Sequence, residues 1–310
     1  MEIIIVLFLA LTIDLALGEF PHSLHPVVWL GNIISIELRL APGSGRRRQL
    51  TYGIAMVTLT IAVFALTTYF LLAYLRGINT IAYILLAALL LKSSFSVKEL
   101  RHAALKIKTS LESNNIIQAR LESRALVSRD TSQLDEPHLV SATLESIAEN
   151  TSDSLIAPLL YFLILGVPGA IAYRVVNTFD AMVGYHGEYE HLGKFAARLD
   201  DWLNFIPARL SGLLLVLTAY LQHQDGRNAW RIMMRDHKQT ESPNAGWPMS
   251  ALAGALRTSL EKDGHYKLGD ANRPLSTELI SRGLRLVMIS TLLWAGFCLT
   301  VEVIRFVVTA

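Results

Sequence analysis

Three carboxylates at helical spacing lie where a polar segment of the chain runs into an apolar one. Glu145, Glu149 and Asp153 follow one another at intervals of four residues, which places them on one face of a helix. Carboxylates this close repel one another, and a hard cation such as magnesium removes the repulsion because it takes oxygen ligands, often together with substrate phosphates. The spacing therefore predicts a magnesium site, with Asn150 as a neighbouring neutral oxygen donor. A solvated acidic face or a helix N-terminus is the alternative, although the apolar run from Leu155 argues against free solvation.

A second polar group pairs an amide with a carboxylate after the next apolar segment. Asn177 and Asp180 are three residues apart, so their side chains are neighbours on a helix. Polar side chains at this density are costly beside lipid, and a chain that keeps them there generally uses them. We therefore take Asn177 and Asp180, together with Glu149 and Asn150, as candidate catalytic residues.

Basic side chains that suit phosphate or carboxylate ligands follow this group. Lys194, Arg198 and Arg209 lie just before or at the start of another apolar segment, and an arginine binds two oxygens of such a ligand at once. They alternate with Asp200 and Asp201, so an internal salt-bridge network is the competing interpretation. Their position beside the apolar segment favours a binding role.

The composition is that of a membrane protein. Of the 310 residues, 52% are hydrophobic and 17% are charged, whereas about 25% are charged in soluble proteins. The net charge of +2 gives no electrostatic case for nucleic-acid binding. Cys298 is the single cysteine, which excludes internal disulfides and a cysteine zinc site, and His22 and His25 have no cysteine or further histidine near them in sequence.

Four apolar segments are predicted as membrane spans when they are compared with the ~20 residues that a crossing helix needs. They predict an all-α, polytopic integral membrane protein with about four full spans in one membrane-embedded domain, 1–310. The N-terminal segment has neither a basic stretch before it nor a small-residue cleavage pattern after it, so we expect a retained first span and not a signal peptide. The predicted spans are 2–17, 51–75, 78–97 and 283–306.

The basic residues predict the orientation of these spans. Lysines and arginines are concentrated in 18–50 and 98–153, whereas the short loop between the second and third spans carries only Arg76. By the positive-inside rule the two basic regions are cytoplasmic and the N-terminus is outside. The region 98–153 has the pattern of amphipathic helices, and 222–282 is predicted as a second cytoplasmic helical region.

Two shorter apolar segments are predicted to dip into the membrane. The first, 154–173, contains a Gly-Val-Pro-Gly turn signal at 166–169, and the second, 210–221, has only 12 residues. The first segment is just long enough to cross, in which case the two polar groups would face opposite sides. We favour a re-entrant path, because broken backbone at membrane depth is tolerated where it lines a protein cavity. Both polar groups then meet in the cytoplasm.

The ordered motifs of the chain resemble one known family over nearly its whole length. The chain is similar to the CobD/CbiB membrane proteins, the adenosylcobinamide-phosphate synthases of cobalamin biosynthesis. One departure follows Gly18, where Glu19-Phe20 replaces the family's usual Asp-Pro and weakens any role assigned to Glu19. The matching motifs are DLALG at 14–18, HPV at 25–27, RDT at 129–131, ESIAENTSD at 145–153, APL at 157–159, NTFDAMVGY at 177–185, ARLDD at 197–201, IPARL at 206–210 and SPNAGWPM at 242–249.

The resemblance implies ATP- and magnesium-dependent formation of an amide bond on a corrinoid. The f-propionate carboxylate of adenosylcobyric acid is joined to the amine of aminopropanol phosphate, or of a related amino alcohol. Phosphorylation would activate the carboxylate, and phosphoryl transfer needs a metal and cations around the phosphates. The acidic helix face then holds magnesium, the basic group holds phosphate, and Asp180 acts as a base or second metal ligand. Arg129 and Asn244 join the cofactor-binding candidates, and Trp247 offers a flat apolar wall for the corrin ring, with core packing as its alternative.

Three other classes of membrane protein compete with this expectation. A transporter also places charges at membrane depth, but it usually has repeated halves, and no repeat is visible here. A magnesium-dependent transferase acting on a lipid diphosphate would need a doubled aspartate-rich motif that is missing. A non-catalytic sensor would have no use for the retained acidic residues. We expect a multi-pass protein of the inner cell membrane with its active site facing the cytoplasm; the sequence leaves the oligomeric state open.

Overall fold

The computed structural model describes residues 1–127, 129–184 and 189–309. Within these ranges the chain forms α-helices and one short antiparallel hairpin, β1 Leu260–Lys262 with β2 Tyr266–Leu268, in which Leu260 lies opposite Leu268. The α-helices are α1 Glu2–Leu17, α2 Pro26–Arg39, α3 Arg46–Ile78, α4 Thr80–Lys92, α5 Val97–Glu112, α6 Ile116–Ser123, α7 Glu136–Thr151, α8 Ala157–Val183, α9 Lys194–Leu203, α10 Phe205–Leu221, α11 Gly226–Asp236, α12 Gly246–Leu256 and α13 Thr277–Thr309.

The predicted all-α, multi-pass membrane fold is confirmed. Among the residues that the structure describes, four helical stretches are long and apolar enough to cross a membrane, and α9 with α10 passes the same test as a pair bent by 47°. The first helix, α1, has 16 residues, fewer than the ~20 that a straight crossing needs, so its crossing stays a prediction. The four stretches are Arg46–Ile78, Thr80–Glu112, Glu136–Val183 and Thr277–Thr309.

Two of the long helices begin earlier than their apolar windows. The helix α3 begins at Arg46 and not at 51, and α13 begins at Thr277 and not at 283. The added first turns are polar and are supported by side-chain pairs such as the bond from Arg282 to Glu278 four residues before it, at 2.6 Å. Hydropathy detects only the apolar part of a helix, whereas the helical hydrogen bonds of the backbone extend into the polar residues before it.

The backbone is irregular at the start of the apolar segment that follows α7, and again within that segment. The helix α7 ends at Thr151 and continues as a π-helical segment, Ser152–Ile156, before α8 begins. Within α8 the backbone leaves the helical region at Gly166, with φ 69° and ψ −162°, a conformation that favours glycine. This break coincides with the turn signal at 166–169, while the re-entrant path itself stays a prediction.

The described residues form two compact units, each assembled from separated parts of the chain. Unit 1 comprises 1–96, 157–203 and 297–309, and unit 2 comprises 97–156 and 204–296. In unit 1, α3 packs on α8 and α9, and α1 packs on α4. Apolar side chains of α2, α3, α8 and α9, among them Ile34, Val57 and Phe179, form its buried core.

Unit 2 is built around α12, which is buried along nearly its whole length. This helix is rich in small residues and packs against α7, α10 and α11. At Gly254 a Cβ atom would lie 2.7 Å from the Cα atom of Ala229 on α11, so only glycine permits this approach. The hairpin β1–β2 follows α12 and lies against α7 through β1.

Candidate functional site

A buried carboxylate on α7 forms the centre of a polar cluster in unit 2. The side chain of Glu145 accepts hydrogen bonds from the Ser141 hydroxyl at 2.6 Å and from the Tyr266 hydroxyl at 2.9 Å. The Arg129 guanidinium lies 3.5 Å from the first of these carboxylate oxygens. Because Glu145 is only 5% exposed, these donors offset the cost of burying its charge.

The hairpin β1–β2 supplies part of this cluster. The backbone N–H of Glu261 donates to the Ser141 hydroxyl at 2.9 Å, which in turn donates to Glu145. Burial, and the charge of Glu145 that it faces, raise the pKa of the Tyr266 phenol above its usual range. The phenol therefore stays protonated at neutral pH and donates to Glu145.

A small pocket of about 90 Å³ opens beside this cluster. It brings together two predicted binding residues, Arg129 and Glu149, with Glu145 and with a cation that sequence reasoning missed, Lys262. Small-ligand pockets usually measure roughly 300–1,000 Å³, so this one fits a polar group of a ligand and not a whole nucleotide. Its lining consists of Leu126, Val127, Arg129, Ala142, Glu145, Ser146, Glu149, Lys262 and Tyr266.

The three predicted metal ligands do not form a ready-made carboxylate cluster. In the part of the chain that the structure describes, no group of three or more His, Cys, Asp or Glu side chains is placed to hold a metal ion. Asp153 lies in the π-helical segment, where each turn is wider than in the α-helix that carries Glu145 and Glu149. Magnesium needs only one or two protein carboxylates when substrate phosphates complete its shell. The exposed Glu149, beside Glu145, fits that requirement, and the metal role of all three residues stays a prediction.

The amide of Asn150 is engaged within its own helix. Its nitrogen donates to the carbonyl of Ser146 at 2.9 Å, and its oxygen accepts from the hydroxyl of Ser154 at 2.8 Å. These bonds link the end of α7 to the π-helical segment. They give Asn150 a positioning role there, while its predicted catalytic role stays a prediction.

A second cluster in unit 2 joins three of the predicted binding residues. Arg209 donates to the Asn244 side-chain oxygen at 3.1 Å, and its guanidinium carbon lies 3.6 Å from the Phe205 ring centre and 4.8 Å from that of Trp247. The ring of His237 lies 4.0 Å from that of Trp247. The indole N–H of Trp247 is buried without a hydrogen-bond partner among the described residues. Because buried donors are normally paired, this N–H is available to a ligand.

The candidates in unit 1 lie on the paired helices α8 and α9. The side-chain oxygen of Asn177 accepts from Arg174 at 3.2 Å, and Asp180 lies one turn later on α8. Lys194 and Arg198 lie one turn apart at the start of α9. A Cβ atom on Gly193 would lie 1.8 Å from the carbonyl oxygen of Val183, so the start of α9 abuts the end of α8. Tyr185, the last residue of the NTFDAMVGY motif, lies outside the described residues.

Asn177, Asp180, Lys194 and Arg198 belong to unit 1, and the acidic helix and the Arg209 cluster belong to unit 2. The single pocket that the sequence predicts for both polar groups therefore stays a prediction. Within unit 2, however, Arg209 and Asn244 do come together although they are 35 positions apart.

A buried ionic cluster in unit 1 was missed by sequence reasoning. The ammonium group of Lys92, fully buried, lies 2.8 Å from one oxygen of Glu19 and 3.4 Å from Asp14. The other oxygen of Glu19 is 2.7 Å from the His25 ring, and Ser96 donates to the first. Burial alone would raise the pKa of Glu19, but the bonds from His25, Lys92 and Ser96 outweigh it and lower this pKa to about 2. The signal was available: Asp14 and Lys92 are isolated charges in apolar runs.

Glu19, which differs from the residue usual in the family, therefore lies within a hydrogen-bonded cluster. The residue that replaces the family's usual aspartate is the acceptor on which three donors converge. His25 also accepts from the backbone N–H of Val27 at 3.2 Å and so caps α2. Glu19 therefore has a structural role in this cluster, while the weakened functional role expected from the replacement stays a prediction.

Comparisons with known proteins agree on one family. A family described as "CobD/Cbib protein" matches residues 7–287. The chain is similar to the "Cobalamin biosynthesis protein CobD" of Dehalococcoides mccartyi (strain CBDB1), with 53% identity across 95% of this chain and 96% of that protein. It is 43% identical to the "Probable cobalamin biosynthesis protein CobD" of Methanothermobacter thermautotrophicus, across 93% of this chain and 94% of that one. It is 36% identical to the "Cobalamin biosynthesis protein CobD" of Klebsiella pneumoniae, across 90% and 91%. No solved structure matches the chain.

Proposed function

The chain belongs to the CobD/CbiB family and acts in cobalamin biosynthesis, and on that premise we propose that it is an ATP-dependent amide ligase. It joins the amine of aminopropanol phosphate, or of a related amino alcohol, to the f-propionate carboxylate of adenosylcobyric acid. The product is adenosylcobinamide phosphate, or adenosylcobinamide when the amino alcohol carries no phosphate.

The observation that supports this proposal is the mixed-charge pocket in unit 2. It combines two cations, Arg129 and Lys262, with the carboxylates of Glu145 and Glu149. Cations of this kind suit a transferring phosphate. An exposed carboxylate beside them suits a metal that is bound jointly with phosphate oxygens.

The proposed chemistry has two balanced steps. A carboxylate oxygen of the corrinoid attacks the γ-phosphorus of ATP, and ADP leaves, which yields an acyl phosphate. The amine then attacks the acyl carbon, the carbon–oxygen bond to phosphate breaks, and the amine loses a proton as inorganic phosphate departs. Magnesium, when bound, neutralises the charge that develops on the phosphates.

The protein side chains have separate parts in this scheme. Arg129 and Lys262 hold the transferring phosphate, and Glu149 holds the metal. Asp180 accepts the proton of the amine, while Asn177, Lys194 and Arg198 orient phosphate oxygens. The Arg209, Asn244 and Trp247 cluster receives a planar or apolar part of the substrate, because Trp247 combines a ring face with an unpaired N–H.

A reconstitution experiment tests the proposal directly. Purified protein in detergent is incubated with adenosylcobyric acid, aminopropanol phosphate, ATP and magnesium, and corrinoid products are followed by mass spectrometry. We expect a mass gain that corresponds to condensation with loss of water, and one ADP for each amide formed. Free aminopropanol in a parallel reaction identifies the preferred amine.

The same experiment separates the competing classes. Amide formation without nucleotide consumption would contradict the ATP-dependent mechanism. Uptake of corrinoid into vesicles without a mass change would identify a transporter, and turnover of a lipid diphosphate would identify a transferase. Binding without either reaction would identify a sensor.

A further inference from the structure

Unit 1 contains a cavity that holds none of the candidate catalytic residues. Its volume of about 730 Å³ lies within the roughly 300–1,000 Å³ of typical small-ligand pockets. It is formed where α3 ends and α4 begins, beside the break in α8 and the last turns of α13. By the predicted orientation, this end of the hairpin α3–α4 faces away from the cytoplasm.

Two ion pairs line this region. The Arg76 side chain lies 2.7 Å from Glu2, and the Arg305 side chain lies 2.8 Å from Glu302. All four residues line an adjoining cavity of about 440 Å³, and Arg76, Glu302 and Arg305 line both cavities, so the two pairs share one space. Glu302 is only 5% exposed, although it lies in an apolar helix where a buried carboxylate is costly unless it serves a purpose.

The remaining wall is apolar and aromatic. Ile3, Leu72 and Phe162 line the cavity, and Ile164 and Leu165 at the α8 break expose 60% and 63% of their surface. Tyrosine side chains at α3 and α4 complete the wall. Tyrosines beside arginines and exposed aliphatic groups are typical of the level at which lipid headgroups meet acyl chains.

We propose that this cavity binds a phospholipid whose headgroup carries both a phosphate and an ammonium group, of the phosphoethanolamine type. Arg76 and Arg305 contact the phosphate, and Glu2 and Glu302 contact the ammonium group. The balance of two cations and two carboxylates supports a zwitterion. A headgroup that carries only negative charge would be repelled by the carboxylates of Glu2 and Glu302, so the site would select against it.

The site is connected to the break in α8 through Arg305. Its guanidinium donates to the carbonyl oxygen of Leu163 at 2.6 Å, as well as to Glu302. Leu163 lies three residues before Gly166, where the backbone leaves the helical conformation. A bound headgroup on Arg305 therefore contacts the residue that supports the break.

Native mass spectrometry of the purified full-length protein tests the proposal. Phosphatidylethanolamine and phosphatidylglycerol with identical acyl chains are added in equal amounts. We expect the wild type to retain phosphatidylethanolamine in preference. Arg76→Gln should reduce that retention about tenfold, the loss expected for one charge-assisted hydrogen bond. Arg48→Gln, which removes an exposed arginine at the other end of the same helix, should leave it unchanged.

The carboxylate variants test the choice of headgroup. Glu302→Gln should abolish the preference for phosphatidylethanolamine over phosphatidylglycerol. If this variant does not fold, Glu2→Gln, at a side chain that is 28% exposed, gives the same readout. Equal retention of both lipids by the wild type, or equal losses in Arg48→Gln and Arg76→Gln, would overturn the proposal. Retention of free O-phosphoethanolamine as strong as that of the lipid would overturn the lipid assignment.

Discussion

At the scale of single residues, the two carboxylates at the unit 2 pocket differ in how firmly they are held. Glu145 is buried and accepts from Ser141 and Tyr266, with Arg129 nearby. Glu149, one turn later on the same helix, lines the pocket from an exposed position. A buried carboxylate that already accepts several hydrogen bonds would have to give them up to bind a metal ion, and this costs free energy. Glu149 is therefore the better candidate for the proposed metal ligand, while Glu145 is held within the wall of the pocket.

The first prediction concerns Glu149→Gln. Glutamine retains the size of the side chain but is a weaker ligand for a hard cation. We expect the magnesium concentration for half-maximal amide synthesis to rise about tenfold, which corresponds to ~1.4 kcal/mol of lost binding energy. The measurement is a magnesium titration of the purified enzyme. Glu136→Gln, an exposed position on the same helix, is the control; equal behaviour of the two variants would remove Glu149 from the metal site.

The second prediction concerns Tyr266→Phe. The substitution removes the hydroxyl that donates to Glu145 at 2.9 Å and leaves a buried carboxylate oxygen short of a donor, at a cost of about 1–3 kcal/mol. We expect a lower melting temperature in detergent. Tyr220→Phe removes a hydroxyl from a tyrosine of unit 2 that is 56% exposed, and it should melt like the wild type. If Tyr266→Phe melts like this control, the bond to Glu145 contributes no stability.

The third prediction concerns the pH dependence of the Glu19 cluster. The pKa of Glu19 is lowered to about 2 by its bonds to His25, Lys92 and Ser96, against the effect of burial. A lowered pKa in the folded state stabilises the fold above the unfolded value of about 4.3, and this contribution is lost as the pH falls toward 2. Glu19→Gln should therefore melt below the wild type at pH 7, and the gap should narrow below about pH 4.

Thermal melts of both proteins between pH 7 and pH 3 measure this gap. Glu99→Gln replaces an exposed glutamate on α5 and should show no gap at any pH. A gap for Glu19→Gln that is constant over the whole range would contradict the assigned charge of Glu19.

At the scale of helices, close backbone approaches determine where α9 begins. A Cβ atom on Gly53 of α3 would lie 2.1 Å from the carbonyl oxygen of Leu192, and one on Gly193 would lie 1.8 Å from that of Val183. The short segment before α9 is therefore held between α3 and the end of α8. This packing orients Lys194 and Arg198, the two cations predicted to bind phosphate.

The fourth prediction tests this packing with a matched pair of glycines on α3. Gly53→Ala forces a methyl group into the Leu192 carbonyl, and overpacking of this kind costs about 1–3 kcal/mol. We expect a lower melting temperature. Gly77→Ala has open space around its new methyl group and should be neutral or slightly stabilising, because alanine is a better helix former than glycine by about 1 kcal/mol. Equal melting temperatures for the two variants would contradict the close approach.

At the scale of the whole molecule, the described residues contain four helical stretches that could cross a membrane, or five with the bent pair α9 and α10. The path of the chain through the bilayer is a prediction. The break at Gly166 divides the 48-residue stretch Glu136–Val183. If the chain returns at this break, position 187 lies on the cytoplasmic side; if it crosses, position 187 lies outside. This choice decides whether Asp180 shares a compartment with Glu149.

The fifth prediction concerns that topology. In a Cys298→Ala background, single cysteines replace Gly43, Gly77 and Gly187, and whole cells are treated with a membrane-impermeant maleimide. The re-entrant path predicts labelling of position 77 alone, with 43 and 187 labelled only after lysis. Both Gly43 and Gly77 have open space around them, so access is not limited by packing. Labelling of position 187 from outside would contradict the re-entrant path and the shared cytoplasmic pocket.

The fold class and the family could both be predicted from the amino-acid sequence. The length of the apolar segments and the low content of charged residues predict an all-α multi-pass protein. Few backbone structures can cross a bilayer, because every backbone polar group must be hydrogen-bonded within the protein. Ordered motifs such as ESIAENTSD at 145–153 identified the family before any geometry was known. The helix that carries Glu145 and Glu149 also followed from spacing, since the contacts that define it are local.

The residues that surround these side chains could not be predicted without the folded structure. The bond from Tyr266 to Glu145 joins positions 121 residues apart, and that from Arg209 to Asn244 joins positions 35 apart. The π-helical segment that contains Asp153 and the burial of Lys92 beside Glu19 also carry no periodic signal. Sequence periodicity records the face of a single helix, whereas these contacts depend on how separate helices pack, which is a property of the folded chain.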